Sequence, residues 1–193
     1  YYEGNTQLRS WICIPLTMNI FERAEGTLNA LFSPLLWTRD GLLTQSGDST
    51  FWDRSTLYGL RGAFAAGATE KALSFLSKYA GRRLLGDHVP YAVEAWPEGG
   101  QRHLSAESAL FCRVITEGMF GFRPEGLSRF SVTPRLPAAW PGMSLKNLVA
   151  FGGKSVDIVV TRQGGDIQTA VFANGTLVKS ATTKPGAQVL VKL

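Results

Sequence analysis

The sequence predicts an α+β chain of two domains, helical hairpins over residues 1–125 followed by an antiparallel β-sandwich over residues 126–193. Apolar residues recur at helical spacing up to about residue 120. From about residue 127 they alternate or form β-branched runs, which is typical of strands. Turn signals separate these runs, among them Asn-Gly at 174–175, a strong hairpin signal. A chain of 193 residues is long enough for one ordinary domain or two small ones.

Five segments of the first part have helical patterns. They are residues 8–20, 24–37, 55–66, 69–85 and 105–121. Pro15 should end or kink the first of them, because proline interrupts a helix interior. Ser55, Thr69 and Ser105 are the expected N-caps of the last three. The fourth segment has the clearest amphipathic pattern, with its apolar residues on one stripe.

Six segments of the second part have strand patterns. They are residues 129–137, 144–152, 155–163, 167–174, 176–182 and 188–193. This part contains few acids and no histidine, so the sequence assigns it no chemistry.

Composition limits the class of function. The formal charge of +5 comes from basic residues spread along the chain, whereas a nucleic-acid binder gathers them on one face, so no nucleic-acid partner is expected. No apolar run reaches 18 residues, so no membrane span is expected. Cys13 and Cys112 lie in apolar surroundings and are predicted to be buried thiols, with a disulfide left open. Neither has metal-ligand spacing around it, so no metal site is expected.

Two loops, residues 37–54 and 86–104, are long for a compact helical domain, and loops of such length are usually functional. The stretch VEAWPEGGQRH, residues 93–103, places Glu94 and Glu98 around Trp96. Glycoside hydrolysis generally needs two carboxyl groups, one to protonate the leaving oxygen and one to activate water or attack carbon. Glu94 and Glu98 are therefore candidates for these carboxyl groups, and a tryptophan between two acids is typical of a carbohydrate-cleaving site.

Basic residues follow this motif closely. Arg102 is expected to pair with Glu94 or Glu98 and keep that carboxylate ionised, as a base requires. His103 is expected to orient a carboxylate or to bind a sugar hydroxyl. Glu107 is predicted to favour the positive end of its helix and to need no further role.

The other long loop supplies further candidates for sugar binding. The indole of Trp52 is expected to stack on a sugar ring while Asp53 accepts hydrogen bonds from sugar hydroxyls. The alternative for Asp53 is to stabilise the N-terminus of the helix that follows. Trp37 is expected to line the same cleft, and Asp48 to be a turn residue. Trp11 is a further candidate for the cleft, with core packing as the favoured alternative because it lies on an apolar helix face.

The order of three segments resembles a known family. VEAWPEGG (93–100), RHLSAESALFCRVITEGMFGFRP (102–124) and LSRFSVTPRLPAAW (127–140) resemble the C-terminal end of a six-hairpin, (α/α)6-barrel glycoside hydrolase of the bacterial α-L-rhamnosidase-like group. That group has a Trp-Glu-x-Trp-Asp-Gly type of motif in a late barrel loop. This chain departs from the pattern at Val93, in place of the first tryptophan, and at Pro97, inserted before Glu98. It also has Ser105 where the group has a helix-start histidine.

The resemblance implies a glycosidase that acts by general acid and general base catalysis, with inversion expected and no metal or cofactor. It implies that Glu94 is the base, that Trp96 lines the sugar pocket, and that Glu98 lies near the motif aspartate. The substrate would be an oligosaccharide or glycoside, and the general acid would come from the remainder of the barrel, a partner outside these residues. This class favours a periplasmic or secreted location, although the first ten residues lack a signal-peptide pattern.

Two alternatives stay open. One is a non-catalytic carbohydrate-binding or structural module, in which the aromatic residues only stack on sugar. The other keeps the barrel and changes the chemistry to phosphorolysis or β-elimination, for which no motif is evident.

Overall fold

The computed structural model describes residues 7–85, 95–96 and 105–193. The chain divides into two compact units, Tyr1–Ile115 and Thr116–Leu193. The helices come first and the longer antiparallel strands follow, which confirms the predicted α+β class. Within the described residues, no helix combines the length and the apolar character needed to cross a bilayer.

Helices build most of the first unit. In chain order they are a 3-10 turn Ser10–Cys13, α1 Ile14–Thr17, α2 Ala24–Leu31, α3 Asp53–Ala65, α4 Thr69–Tyr79 with a π-helical extension Ala80–Leu84, and α5 Ser105–Arg113 with a π-helical extension Val114–Met119. The predicted kink at Pro15 is wrong, because Pro15 lies in the first turn of α1, where a missing N–H costs nothing. Ser55 and Thr69 are not N-caps either: Trp52 and Ala68 hold those positions, and neither caps through its side chain.

Helix α3 forms the centre of the first unit and is buried on nearly every side. A helix that is covered all round must let its neighbours approach closely. A Cβ at Gly62 would lie 2.7 Å from Cβ of Leu16 on α1, and one at Gly59 would lie 2.9 Å from Cδ1 of Leu42. The two glycines therefore allow α1 and the chain at residue 42 to pack directly on α3.

The loop over residues 37–54 contains short strands that the sequence pattern did not predict. Strand β1 (Trp37–Thr38) pairs with β2 (Gly41–Leu42), and β3 (Phe51–Trp52) pairs with β4 (Ala95–Trp96). Each strand has two residues, which is too short for a visible period-2 pattern.

The second unit contains two antiparallel sheets. Their strands are β5 Arg123–Gly126, β6 Arg129–Val132, β7 Gly142–Ala150, β8 Lys154–Gln163, β9 Asp166–Ala173, β10 Thr176–Thr183 and β11 Val189–Lys192. One sheet has the order β10-β9-β8-β7 and the other β11-β6-β5. Alternate residues of β8, β9 and β11 are buried, so each sheet covers one face.

Turn chemistry sets several of these boundaries. The predicted hairpin at residues 174–175 is confirmed: Asn174 and Gly175 both have positive φ, 48° and 79°, as a type I′ turn requires. The predicted strand over residues 129–137 ends early, at Val132, two residues before Pro134. Strand β5 was not predicted, because its sequence, Arg-Pro-Glu-Gly, has low strand propensity.

The two cysteines are both reduced thiols. Cys13 is buried, as predicted. Cys112 is exposed, which corrects the prediction of a buried thiol. Leu110 and Val114 are buried and lie four residues apart, so they define the covered face of this helix, and residue 112 falls on the opposite side.

Candidate functional site

The structure brings together the backbones of the two loops that the sequence marked as functional. Strands β3 and β4 pair antiparallel, with Phe51 opposite Trp96 and Trp52 opposite Ala95. Trp52 is extended, with φ −117° and ψ 129°, and its successor, Asp53, begins α3. The pairing therefore couples the Trp96 segment to the start of the central helix.

Trp52 belongs to a chain of ring contacts with Trp11 and Tyr58. Its ring meets Trp11 edge-on, with the centroids 5.7 Å apart and the planes at 80°. Trp11 also contacts Tyr58 on α3, at 6.3 Å between centroids. Trp11 is 40% exposed, so the prediction that it packs in the core is wrong. In a 3-10 turn residues three apart lie on the same side, and buried Ser10 and Cys13 turn Trp11 outward.

Asp53 is fully buried and forms an ion pair with Arg83 of the π-helical extension of α4. Nη2 of Arg83 lies 3.4 Å from Oδ1 and 3.3 Å from Oδ2 of Asp53. Direct contact of Asp53 with sugar stays a prediction. The alternative, in which this carboxylate stabilises the N-terminus of α3, is compatible with the structure because Asp53 is the first residue of that helix.

A second ion pair was missed by the sequence reasoning. Nε of Arg54 donates to Oε1 of Glu107 at 2.7 Å; the Glu107 side chain is 0% exposed and the Arg54 side chain 30%. A signal was present: Glu107 stands three and seven residues before Leu110 and Val114, both buried, so it lies on the covered face of its helix. The expectation that Glu107 has no role beyond the helix end is therefore wrong.

Tyr79 completes this buried ion cluster, defined as Asp53, Arg54, Tyr79, Arg83 and Glu107. Burial raises the pKa of the Tyr79 phenol well above its ordinary value, and the negative charge of Asp53 adds to the rise. Arg83 opposes the rise in pKa, while Glu107 contributes to it. Two guanidinium groups balance two carboxylates, so the cluster has no net formal charge.

Trp37 has ring neighbours different from those of Trp52. Its centroid lies 4.4 Å from that of Phe75 on α4 and 5.4 Å from that of Phe32 at the end of α2. Lys71 and Lys78 lie over the rings of Phe32 and Phe75. The role expected for Trp37, that it lines the sugar cleft, stays a prediction.

Four predicted site residues, Glu94, Glu98, Arg102 and His103, lie outside the described residues. Trp96 is described through its strand only. The described ranges contain no group of three or more His, Cys, Asp or Glu residues that would hold a metal ion. In comparisons with known proteins, the chain matches no family model and no curated protein.

Proposed function

We propose that the chain is the C-terminal part of a glycoside hydrolase that resembles α-L-rhamnosidases. In this proposal α3, α4 and α5 belong to an (α/α)6 barrel, and the two antiparallel sheets form the β-sandwich that follows it. The pairing of β3 with β4 carries the proposal, since it joins the Trp52 loop to the segment with the acid-and-tryptophan motif.

Glu94 is assigned as the general base. It is bonded to Ala95 in the sequence, and Ala95 pairs with Trp52. A carboxylate in the same sequence motif as a tryptophan expected to contact the sugar is suited to remove a proton from the water that attacks the anomeric carbon. Inversion is the expected outcome, with the acid about 6.5–9.5 Å away to leave room for that water. We assign the acid to the remainder of the barrel and keep Glu98 as the second carboxylate candidate.

Trp52 and Trp11 are assigned to binding of the sugar ring. Indole faces pack well against the C–H groups of a sugar and bring a large apolar area to a polar ligand. The edge-on contact between the two rings fixes their relative orientation, and Trp11 remains 40% exposed. Trp96, Arg102 and His103 keep the roles in the sugar pocket that the sequence predicts.

Exposed apolar side chains of the first unit support the proposal that this unit contacts a partner. Met18, Ile20 and Leu35 are 66%, 52% and 62% exposed, respectively. Large apolar side chains of this kind are common at protein contacts. We propose that the partner is the remainder of the barrel.

A carbohydrate-binding module is the second candidate, and the contact between Trp11 and Trp52 is the observation that favours it. An exposed ring such as Trp11, beside the half-buried Trp52, is enough to bind sugar without any base. The two functions differ in turnover. Screening the protein against a panel of aryl glycosides, with titration calorimetry on the same sugars, separates them: an enzyme releases aglycone, whereas a binding module gives heat of binding alone.

A further inference from the structure

We propose that Arg54 and Glu107 are positioning residues for the candidate base. They hold the start of α3 in place and, through it, the pairing of β3 with the strand that follows Glu94 in the chain. This inference rests on the proposed function, because it assigns the pair a purpose in the assembly of the sugar site.

The first turn of α3 is tied to three different neighbours. Asp53 pairs with Arg83 and Arg54 pairs with Glu107, so two consecutive residues reach the end of α4 and the start of α5. Thr56, in the same turn, accepts a hydrogen bond from the backbone N–H of Leu42 at 2.9 Å and donates one to the carbonyl of Trp52 at 2.9 Å. The residue before this turn, Trp52, is therefore held from several directions.

Trp52 is also one of the two residues of β3, and a sheet with two residues in each strand has little stability of its own. The register of β3 against β4 must therefore come from the segments that flank the strands. On the side of Trp52, that segment is the first turn of α3. Glu107 is 0% exposed, so the oxygen that Arg54 contacts is fixed by packing.

The charged pair is more specific than packing alone would need. Arg54 and Glu107 could be replaced together by apolar residues of similar size at little cost to stability, since an ion pair of this kind adds little net stability, whereas removing Glu107 alone takes from Arg54 its carboxylate partner. A guanidinium bonded through Nε to a rigid carboxylate has one preferred orientation. The pair therefore suits the task of fixing the position of Trp52 more than that of adding stability.

The test compares the wild-type protein with Glu107→Gln, which keeps the shape of the side chain and removes its charge. Asp166→Asn is the matched control, because Asp166 pairs with the exposed Lys184 in the second unit, outside the unit that contains α3. Hydrogen exchange is followed by mass spectrometry in peptides that cover residues 49–53 and 93–97. We expect Glu107→Gln to speed exchange at least fivefold in both peptides, and Asp166→Asn to leave both unchanged. Unchanged exchange in a folded Glu107→Gln protein would overturn the inference.

Steady-state kinetics then separates positioning from structural support. After correction for the folded fraction, we expect Glu107→Gln to lower kcat at least tenfold with KM within twofold of wild type. A normal kcat per folded molecule would reduce the pair to structural support and overturn the inference. If Glu107→Gln does not fold, Arg54→Lys takes its place; lysine retains the charge without the planar fork, so we expect the same changes at smaller size. A wild-type protein without turnover contradicts the proposed function, whereas the exchange data still decide whether the pair anchors β3 and β4.

Discussion

Asp48 shows how a single loop residue can be held by its immediate neighbours. Its Oδ2 accepts from the Thr44 hydroxyl at 2.7 Å, and its Oδ1 accepts from the backbone N–H groups of Ser49 and Thr50. These bonds, the Thr44 hydroxyl first, lower the pKa of the Asp48 carboxyl below its ordinary value. Its predicted role as a turn residue is consistent with these contacts, since aspartate favours turns by bonding to nearby backbone N–H groups.

Removing the Thr44 hydroxyl should raise the pKa of Asp48 in Thr44→Val. The sign follows from which form the hydrogen bonds favour. They hold the ionised carboxylate, so their contribution to stability is full above about pH 4, the unfolded value, and is lost as pH falls through the lower folded pKa. NMR titration of the carboxyl carbon measures the shift. Ser49→Ala is the control, because its backbone N–H remains, and an unchanged pKa in Thr44→Val would contradict the assignment.

The two thiols should differ sharply in reactivity. Burial raises the pKa of Cys13 to about 12, so almost no thiolate exists at pH 8. Cys112 is exposed on its helix. We expect iodoacetamide to label one thiol per native chain and both in denaturant, as counted by mass spectrometry. Cys112→Ser should abolish native labelling, and rapid native labelling of Cys112→Ser would show that Cys13 is accessible.

At the scale of elements, the first turn of α3 concentrates buried charge. Asp53→Asn leaves Arg83 buried beside a neutral partner, which typically costs about 3–5 kcal/mol in the free energy of unfolding. Asp40→Asn removes a surface partner and should cost less than about 1 kcal/mol. Urea denaturation of both variants measures the difference. Equal losses would mean that the Asp53–Arg83 pair is no more important than a surface pair.

Two glycines with positive φ offer a matched comparison in the second unit. Gly121 has φ +59°, and a Cβ there would lie 2.5 Å from the carbonyl oxygen of Thr133. Gly175 has φ +79° with open space around it. Gly175→Ala should therefore cost about 1–2 kcal/mol from the left-handed backbone alone. Gly121→Ala should cost clearly more, as measured by denaturation, because steric overlap adds to it. A smaller loss at Gly121 would contradict the close approach to Thr133.

The elements differ in how far the sequence predicts them. Strands β7 to β10 follow clear alternation and Asn-Gly or Gly-Gly turns, and the structure has them near the predicted bounds. Of the predicted helical stripe Leu73, Leu76 and Tyr79, the last two are buried as predicted, whereas Leu73 is only half-buried. Single residues at helix ends were less predictable. Asp53 begins α3 because Trp52 is held extended by Ala95 of β4, 43 residues away in sequence, and no local pattern contains that pairing.

At the scale of the whole molecule, the sequence predicts the class of the fold, but neither the pairing between its two long loops nor the buried ion cluster between helices. The cluster depends on tertiary packing: Glu107 and Arg54 are 53 residues apart, and Asp53 and Arg83 are 30 apart. In the sequence alone, these four residues resembled the charged residues that are ordinary near helix ends. Only the placement of Leu110 and Val114 on the same face indicated that Glu107 would be buried.

The proposed partner has a direct consequence for size. If the first unit packs against the remainder of a barrel, the native particle should be much larger than the 21.0 kDa of this chain. Comparing native mass with the denatured masses of its polypeptides measures this. We expect a second polypeptide, or a longer one that contains this sequence. A monomer of about 21 kDa would favour the binding module.

Turnover by Glu94→Gln, beside wild type and Glu98→Gln, tests the central claim most directly. The amide has nearly the shape of the carboxylate but accepts no proton from water. We predict that Glu94→Gln lowers kcat on the best aryl glycoside by about 10²–10⁴-fold, the usual contribution of a general base, while calorimetry finds sugar affinity nearly unchanged. Glu98→Gln should retain more activity than Glu94→Gln. A Glu94→Gln protein with wild-type turnover would contradict the assignment of the base.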